Sequence, residues 1–260
     1  MATATTKPTV GIFGLTGCAG DQLAILNCED ELLDLVELLD VRDFLMASSD
    51  PDTGASLDIA FVEGAVASHR DEERLRRIRE RSRTLIAIGT CAVWGGIAAL
   101  DRFADRAVLL EEIYGPASRT FDQLSVRALH EVVPVDYRIT GCPIEREEFL
   151  GAVACLLNGD PPQTLAYAVC AECRMREHNC LLVERGLPCL GSVTAAGCDA
   201  RCPGLGVPCI GCRGPAADRN LDSLLATLEA RGTPPAIVRR RLESFGPLPA
   251  MAGAAAEEDR

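Results

Sequence analysis

Thr9–Gly14 reads TVGIFG and Leu15–Gly20 reads LTGCAG. The first stretch is a short apolar run that stops on glycine, as a buried strand does; the second is a turn-rich loop bearing a cysteine. Beyond it, Asp21–Asp40 places Ile25, Cys28, Leu32, Leu35, Val36 and Leu39 on one helical stripe with acidic residues elsewhere. Strand, loop and helix in this order open an α/β fold.

The same unit recurs along the chain. Val41–Met46 alternates weakly and is followed by the turn cluster SSDPDTG. Residues 58–62 (DIAFV), closed by Glu63 and Gly64, predict a buried strand. The charged run 69–82, with Leu75 and Ile78 on one face, predicts an exposed helix. Residues 85–89 (LIAIG) predict another strand, running into the loop GTCAVWGG. A less regular section with turn signals at Tyr114, Gly115 and Pro116 precedes a last strand over 135–140, capped by Gly141-Cys142-Pro143. The amphipathic run 145–157 then carries Phe149, Leu150, Val153 and Leu156. Strands alternating with helices predict a doubly wound parallel sheet, where ligands gather beyond the carboxyl ends of the strands. Cys18, Cys91 and Cys142 each follow a predicted strand, so three distant positions are expected at one sheet edge.

Asn158-Gly159-Asp160-Pro161-Pro162 reads as a linker. Eight cysteines follow: Cys170, Cys173, Cys180, Cys189, Cys198, Cys202, Cys209 and Cys212. Their segment is rich in Gly and Pro and poor in periodicity, so metal ligation is expected to replace part of a hydrophobic core. Leu221, Leu224, Leu225 and Leu228 predict a helix, 237–242 a second, and Ala252–Arg260 a frayed end. The expected division is a sheet domain over 1–160, a small irregular domain over 161–216 and a helical extension over 217–260.

A net charge of -12 argues against nucleic acid or an anionic membrane as partner. The start, MATATTKPTV, lacks an apolar leader, and no apolar run is long enough to span a bilayer, so the expectation is a cytoplasmic protein without direct membrane insertion. Thirteen cysteines in a reducing compartment point to metal or redox chemistry. Spacing leaves two chemistries open. Zinc suits Cys170-x-x-Cys173 and Cys209-x-x-Cys212. Iron–sulfur clusters suit two sets of four, and zinc gives no reason for Cys18, Cys91 and Cys142 to converge.

GTCAVWGG around Cys91, GCPI around Cys142, DIAFVEG and PCLGSVTAAGCDARCPGLGVPCIGCRG together resemble the small, electron-transfer subunit of [NiFe] hydrogenases. The likeness is to the cytoplasmic sulfhydrogenase-delta or NAD(P)-linked type, then the F420-non-reducing type, and runs from about Val10 to Gly214. It implies a flavodoxin-like domain with a proximal [4Fe-4S] cluster, followed by a domain with medial and distal clusters. The implied distal ligands are Cys170, Cys173, Cys180 and Cys189, the first being histidine in many exported relatives. The implied medial ligands are Cys198, Cys202, Cys209 and Cys212; exported relatives often have proline at the place of Cys202, so cysteine here implies a full [4Fe-4S] centre.

The implied proximal ligands are Cys18, Cys91, Cys142 and the last residue of a C-x-x-C, but the chain reads Cys18-Ala19-Gly20-Asp21. Three readings of Asp21 stand: a carboxylate ligand in a Cys3Asp cluster, a helix N-cap with the fourth iron bound by water or absent, or a plain residue replaced as ligand by Cys28. Cys28 and Cys155 otherwise read as core thiols. The resemblance further implies a separate large subunit carrying the Ni–Fe site, because the paired C-x-x-C motifs of that subunit are missing here, and a further iron–sulfur or flavin redox subunit.

Two rival functions are weighed with it. A complex-I-like quinone oxidoreductase subunit shares the sheet domain but has adjacent cysteines in its first motif, whereas Cys18 has no cysteine neighbour. A zinc-stabilised scaffold protein fits the C-x-x-C pairs alone. Glu63 reads, through the resemblance, as a support for the cluster edge or a subunit contact, or else as an exposed strand-end carboxylate. Trp94 is expected near the proximal cluster or at the large-subunit interface. His69, His130 and His178 read as isolated, His178 as a bystander or a donor to cluster sulfur. The glycines Gly11, Gly14 and Gly17 miss dinucleotide-loop spacing and are expected to let backbone approach the cluster.

Overall fold

A computed structural model describes residues 7–103 and 105–246, so the predicted frayed end lies outside the described residues. Five strands form one sheet: β1 (Thr9–Gly14), β2 (Asp40–Asp43), β3 (Leu57–Glu63), β4 (Ser82–Ile88) and β5 (Tyr137–Ile139). Their order is β2-β1-β3-β4-β5 and every pairing is parallel. This is the flavodoxin-like order, in which the strand sequence reverses beside β1.

Period-two alternation divides the strands between two cores. Val10, Ile12, Ile59, Phe61, Ile86 and Ile88 face one side, where α1 (Gly20–Leu26), α2 (Leu32–Leu38) and α6 (Arg146–Leu157) supply Ile25, Leu35 and Phe149. Phe13, Ala60, Val62, Leu85 and Ala87 face the other side, against Leu75 and Ile78 of α3 (His69–Arg81) and Val93 of α4 (Gly89–Trp94). Ser68 caps α3, accepting from Asp71 N–H at 3.0 Å.

The single helix expected over 21–40 is two helices. Glu29, Asp30 and Glu31 fall between them, where negative charge opposes the end of α1 and favours the start of α2. Val36, expected on the inner stripe, is exposed. The irregular section contains α5 (Arg106–Tyr114), which the pattern misses because none of its residues is buried. Its visible signal is Asp105, which accepts from Ala107 N–H (2.9 Å) and Val108 N–H (3.3 Å) as N-cap.

The cysteine segment carries only short helices: α7 (Val169–Met175), α8 (Leu181–Arg185) and α9 (Arg201–Gly204). Leu190 and Val193 of this segment share a core with Leu224 and Leu228 of α10 (Leu221–Ala230) and Val238 and Leu242 of α11 (Pro235–Glu243). The last two helices therefore supply the apolar contact that the segment cannot build alone.

Phe61 is fully buried at the sheet centre, its ring 5.2 Å from that of Phe149 in an edge-on arrangement. Phe61→Ala is expected to cost about 3–5 kcal/mol through transfer and cavity, read as a lowered midpoint in chemical denaturation.

Candidate functional site

The carboxyl ends of β1, β3, β4 and β5 deliver Cys18, Glu63, Cys91 and Cys142 to one edge. At its centre is Glu63, 2% exposed. Its carboxylate accepts from Asp21 N–H (3.3 Å), Gln22 N–H (3.2 Å) and Gln22 Nε2 (2.9 Å). It thereby meets donors at the start of α1, where helix N–H groups lack internal partners. The exposed strand-end reading of Glu63 does not hold.

Asp21 is 6% exposed and is not the helix cap, which is Ala19 in left-handed geometry with no side-chain bond. Asp21 Oδ1 instead accepts from Ile144 N–H at 2.8 Å, across 123 residues of sequence. Burial drives its carboxyl up to about 7, and the Glu63 carboxylate pushes the same way, against the Ile144 hydrogen bond. Gly89, at φ +82°, is where a Cβ would lie 1.8 Å from Asp21 Oδ2, so only glycine leaves room for the carboxylate. Cys28 is wholly buried in the core and 3.6 Å from Ala24 O, as a structural thiol is; burial raises its pKa.

Cys91 lies within electrostatic reach of Asp21 and Cys18, and its burial raises its pKa. Cys142 is exposed as a residue, yet its sulfur is desolvated beside Cys91, Asp21, Cys212 and Cys18, which pushes it up to about 12. The four expected proximal donors thus share one neighbourhood at the sheet edge. Thr90 ties this edge to the cysteine segment: its Oγ1 lies 2.9 Å from Gly141 O, contacts Cys212 O, and accepts from Gly141 N–H at 3.3 Å.

The eight later thiols also gather. Cys170, pushed up to about 11 by burial, feels Cys189, Cys173 and Cys180. Cys212, likewise about 11 through burial, feels Cys198 and Cys202. Cys209, pushed by burial to about 12, feels both Cys189 and Cys212, and its N–H donates to Cys189 Sγ at 3.2 Å. The spatial order is therefore Cys142, then the 198–212 set, then the 170–189 set, the reverse of chain order for the last two. Thiols with these pKa values hold their protons at neutral pH, so a bound cation must displace them. Soft thiol donors, with Gly20, Gly96 and Gly191 packing bare backbone against Cys18, Cys91 and Cys170, fit iron–sulfur clusters. Among the described residues, no three metal-binding side chains close on a single ion.

Several smaller expectations change. Cys155 is half-buried and lines a groove of about 490 Å³ with Glu148, Glu172 and Cys198, so it is not a core thiol. His69 is paired, its Nδ1 2.7 Å from Asp122 Oδ1. His178 packs its ring on Gly204, just after Cys202. Trp94 packs on Gly214 and Gly246 with a buried Nε1. Gly14 and Gly17 make room for Gln22 and Gly64, and Gly11 for Phe13 and Leu57, so packing explains all three.

The family model of the NADH ubiquinone oxidoreductase 20 Kd subunit matches residues 18–156. Sulfhydrogenase 2 subunit delta of Pyrococcus furiosus is 38% identical, over 91% of this chain and 98% of its own. This chain belongs to that family, as a hydrogenase small subunit. The matching subunit of the vhu F420-non-reducing hydrogenase of Methanocaldococcus jannaschii is 32% identical, over 82% of this chain and 83% of its own. A chain of a solved NAD+-reducing [NiFe]-hydrogenase superposes with a TM-score of 0.55 at 29% identity, over 61% of this chain and 95% of that one. The family-model match ends before the eight later cysteines, whereas the delta-subunit match takes them in, so the quinone oxidoreductase reading is not favoured. As a hydrogenase small subunit the chain is a component of an oxidoreductase complex. No described helix is long and apolar enough to cross a membrane.

Glu63→Gln keeps the shape but replaces one acceptor oxygen by a donor. It is expected to cost about 1–3 kcal/mol, from N–H groups of α1 left unmet, seen as a lower thermal midpoint.

Proposed function

We propose that this small subunit holds three [4Fe-4S] clusters in a row and carries electrons between the Ni–Fe site of a separate large subunit and a further iron–sulfur or flavin subunit, in the cytoplasm. The proximal donors are Cys18, Asp21, Cys91 and Cys142, held by the sheet unit over 1–160. The medial donors are Cys198, Cys202, Cys209 and Cys212 and the distal donors Cys170, Cys173, Cys180 and Cys189, on the segment 161–216 with 217–260 packed behind it. The observation that carries the reading is the continuity between the thiol loops: Thr90 Oγ1 contacts both Gly141 O, beside Cys142, and Cys212 O, and the Cys209 N–H meets Cys189 Sγ.

Iron–sulfur clusters supply one-electron storage at potentials set by ligand type, hydrogen bonds to sulfur and burial. The chain's own groups do the remaining work. Glu63 fixes the loop bearing Cys18 and Asp21. Thr90 locks the Cys142 loop to the backbone of Cys212. The Cys209 N–H partly offsets negative charge on Cys189. Asp21 brings a buried hard oxygen to the proximal set, and a cation beside it relieves the cost of keeping that carboxylate ionised out of water.

Anaerobic purification of the complex should give about twelve irons per small subunit with matching acid-labile sulfide. Stoichiometric zinc without iron rejects the relay and favours a zinc-stabilised scaffold. For the carboxylate ligand, Asp21→Cys should give a proximal signal typical of four thiolates and Asp21→Ala a disturbed one. Unchanged spectra and iron content in both variants would remove Asp21 from the ligand set.

A further inference from the structure

Arg213 follows Cys212 directly and is 2% exposed. Burying a guanidinium is costly unless its charge and N–H groups are met. Two sides are met. Nε donates to Ala196 O at 2.7 Å, and Nη2 donates to both carboxylate oxygens of Glu148 at 2.8 Å. The third side is not: Nη1 is buried without an acceptor among the described residues. The backbone is shaped to admit the group, since a Cβ on Gly197, at φ +116°, would lie 2.3 Å from Nη2.

The charge has a definite neighbourhood. Arg213 follows Cys212 in the chain, and its guanidinium lies on Ala196 O and Gly197, the two residues that lead into Cys198. These cysteines stand at the two ends of the 198–212 set. Glu172, also buried, is engaged by Gly197 N–H (2.7 Å) and Ala200 N–H (3.1 Å), so it does not pair with Arg213. Glu148 is the anion that holds the guanidinium.

We propose that Arg213 is a positioning residue for the medial centre, its charge and unmatched Nη1 donors raising that centre's reduction potential, with Glu148 fixing the guanidinium and partly offsetting it. The inference rests on the assignment of Cys198, Cys202, Cys209 and Cys212 to one cluster. Reduction adds an electron to a buried site; a nearby cation and hydrogen bonds to sulfur favour the reduced form, and a nearby anion disfavours it.

The test is a redox titration of the anaerobically purified complex, followed by low-temperature electron paramagnetic resonance. The medial signal is identified as the one that Cys212→Ser alters. Arg213→Gln should move its midpoint to more negative potential and Arg213→Lys less far, because lysine keeps the charge but not the planar fork. Glu148→Gln should move it to more positive potential, with iron content unchanged. A merely structural role does not predict opposite signs. Midpoints that stay fixed, or that move in the same direction in Arg213→Gln and Glu148→Gln, overturn the proposal. If Arg213→Gln loses the medial centre, Glu148→Gln decides alone: a positive shift sustains the proposal and no shift or a negative one overturns it. Failure of the underlying assignment looks different, because Cys212→Ser would then leave iron content and every signal unchanged.

Discussion

The buried Glu63 carboxylate is the contact on which the sheet edge depends. A charged group at the end of a central strand needs donors, and the nearest unmet donors are the first N–H groups of α1. Meeting them pins the loop between β1 and α1, and so fixes Cys18 and Asp21 over the strand ends. Asp21 then bridges to Ile144 N–H, which draws in the loop bearing Cys142. Gly89, the first residue of α4 just after β4, is the counterpart, its missing side chain leaving space for the Asp21 carboxylate.

The second constraint is desolvation. Cys142, Cys170, Cys209 and Cys212 all sit with pKa values pushed to about 11 or 12. Packed thiols of this kind are stable as neutral groups and become good ligands only when a cation takes the place of their protons. Around them the segment has few apolar side chains of its own; Leu190 and Val193 share a core with the last two helices. The cysteine segment is therefore defined by its ligands at one side and by α10 and α11 at the other.

Where the sequence was readable, a burial pattern made it so. Ile59 and Phe61 against Ala60 and Val62 mark β3 as covered on both faces, and Leu75 with Ile78 marks the inner side of α3. Where burial gives no pattern, reading fails. The helix α5 buries nothing, and the acids Glu29–Glu31 divide a stripe that looks continuous in apolar spacing. Arg213 carries no signal in CIGCRG, since a basic residue after a cysteine looks like an ordinary surface charge until its burial is seen.

The sequence by itself determined the parallel α/β sheet, the delivery of Cys18, Cys91 and Cys142 to its carboxyl edge, and the family, because strand periodicity and ordered cysteine motifs are local properties. Only the tertiary structure decided that Glu63 is buried, that Asp21 bonds Ile144 and caps nothing, that Cys155 lines a groove, and that Arg213 is buried against Glu148. Each of these depends on which groups meet across long loops. Desolvation and hydrogen-bond pairing are set by those meetings, and residue spacing along the chain does not encode them.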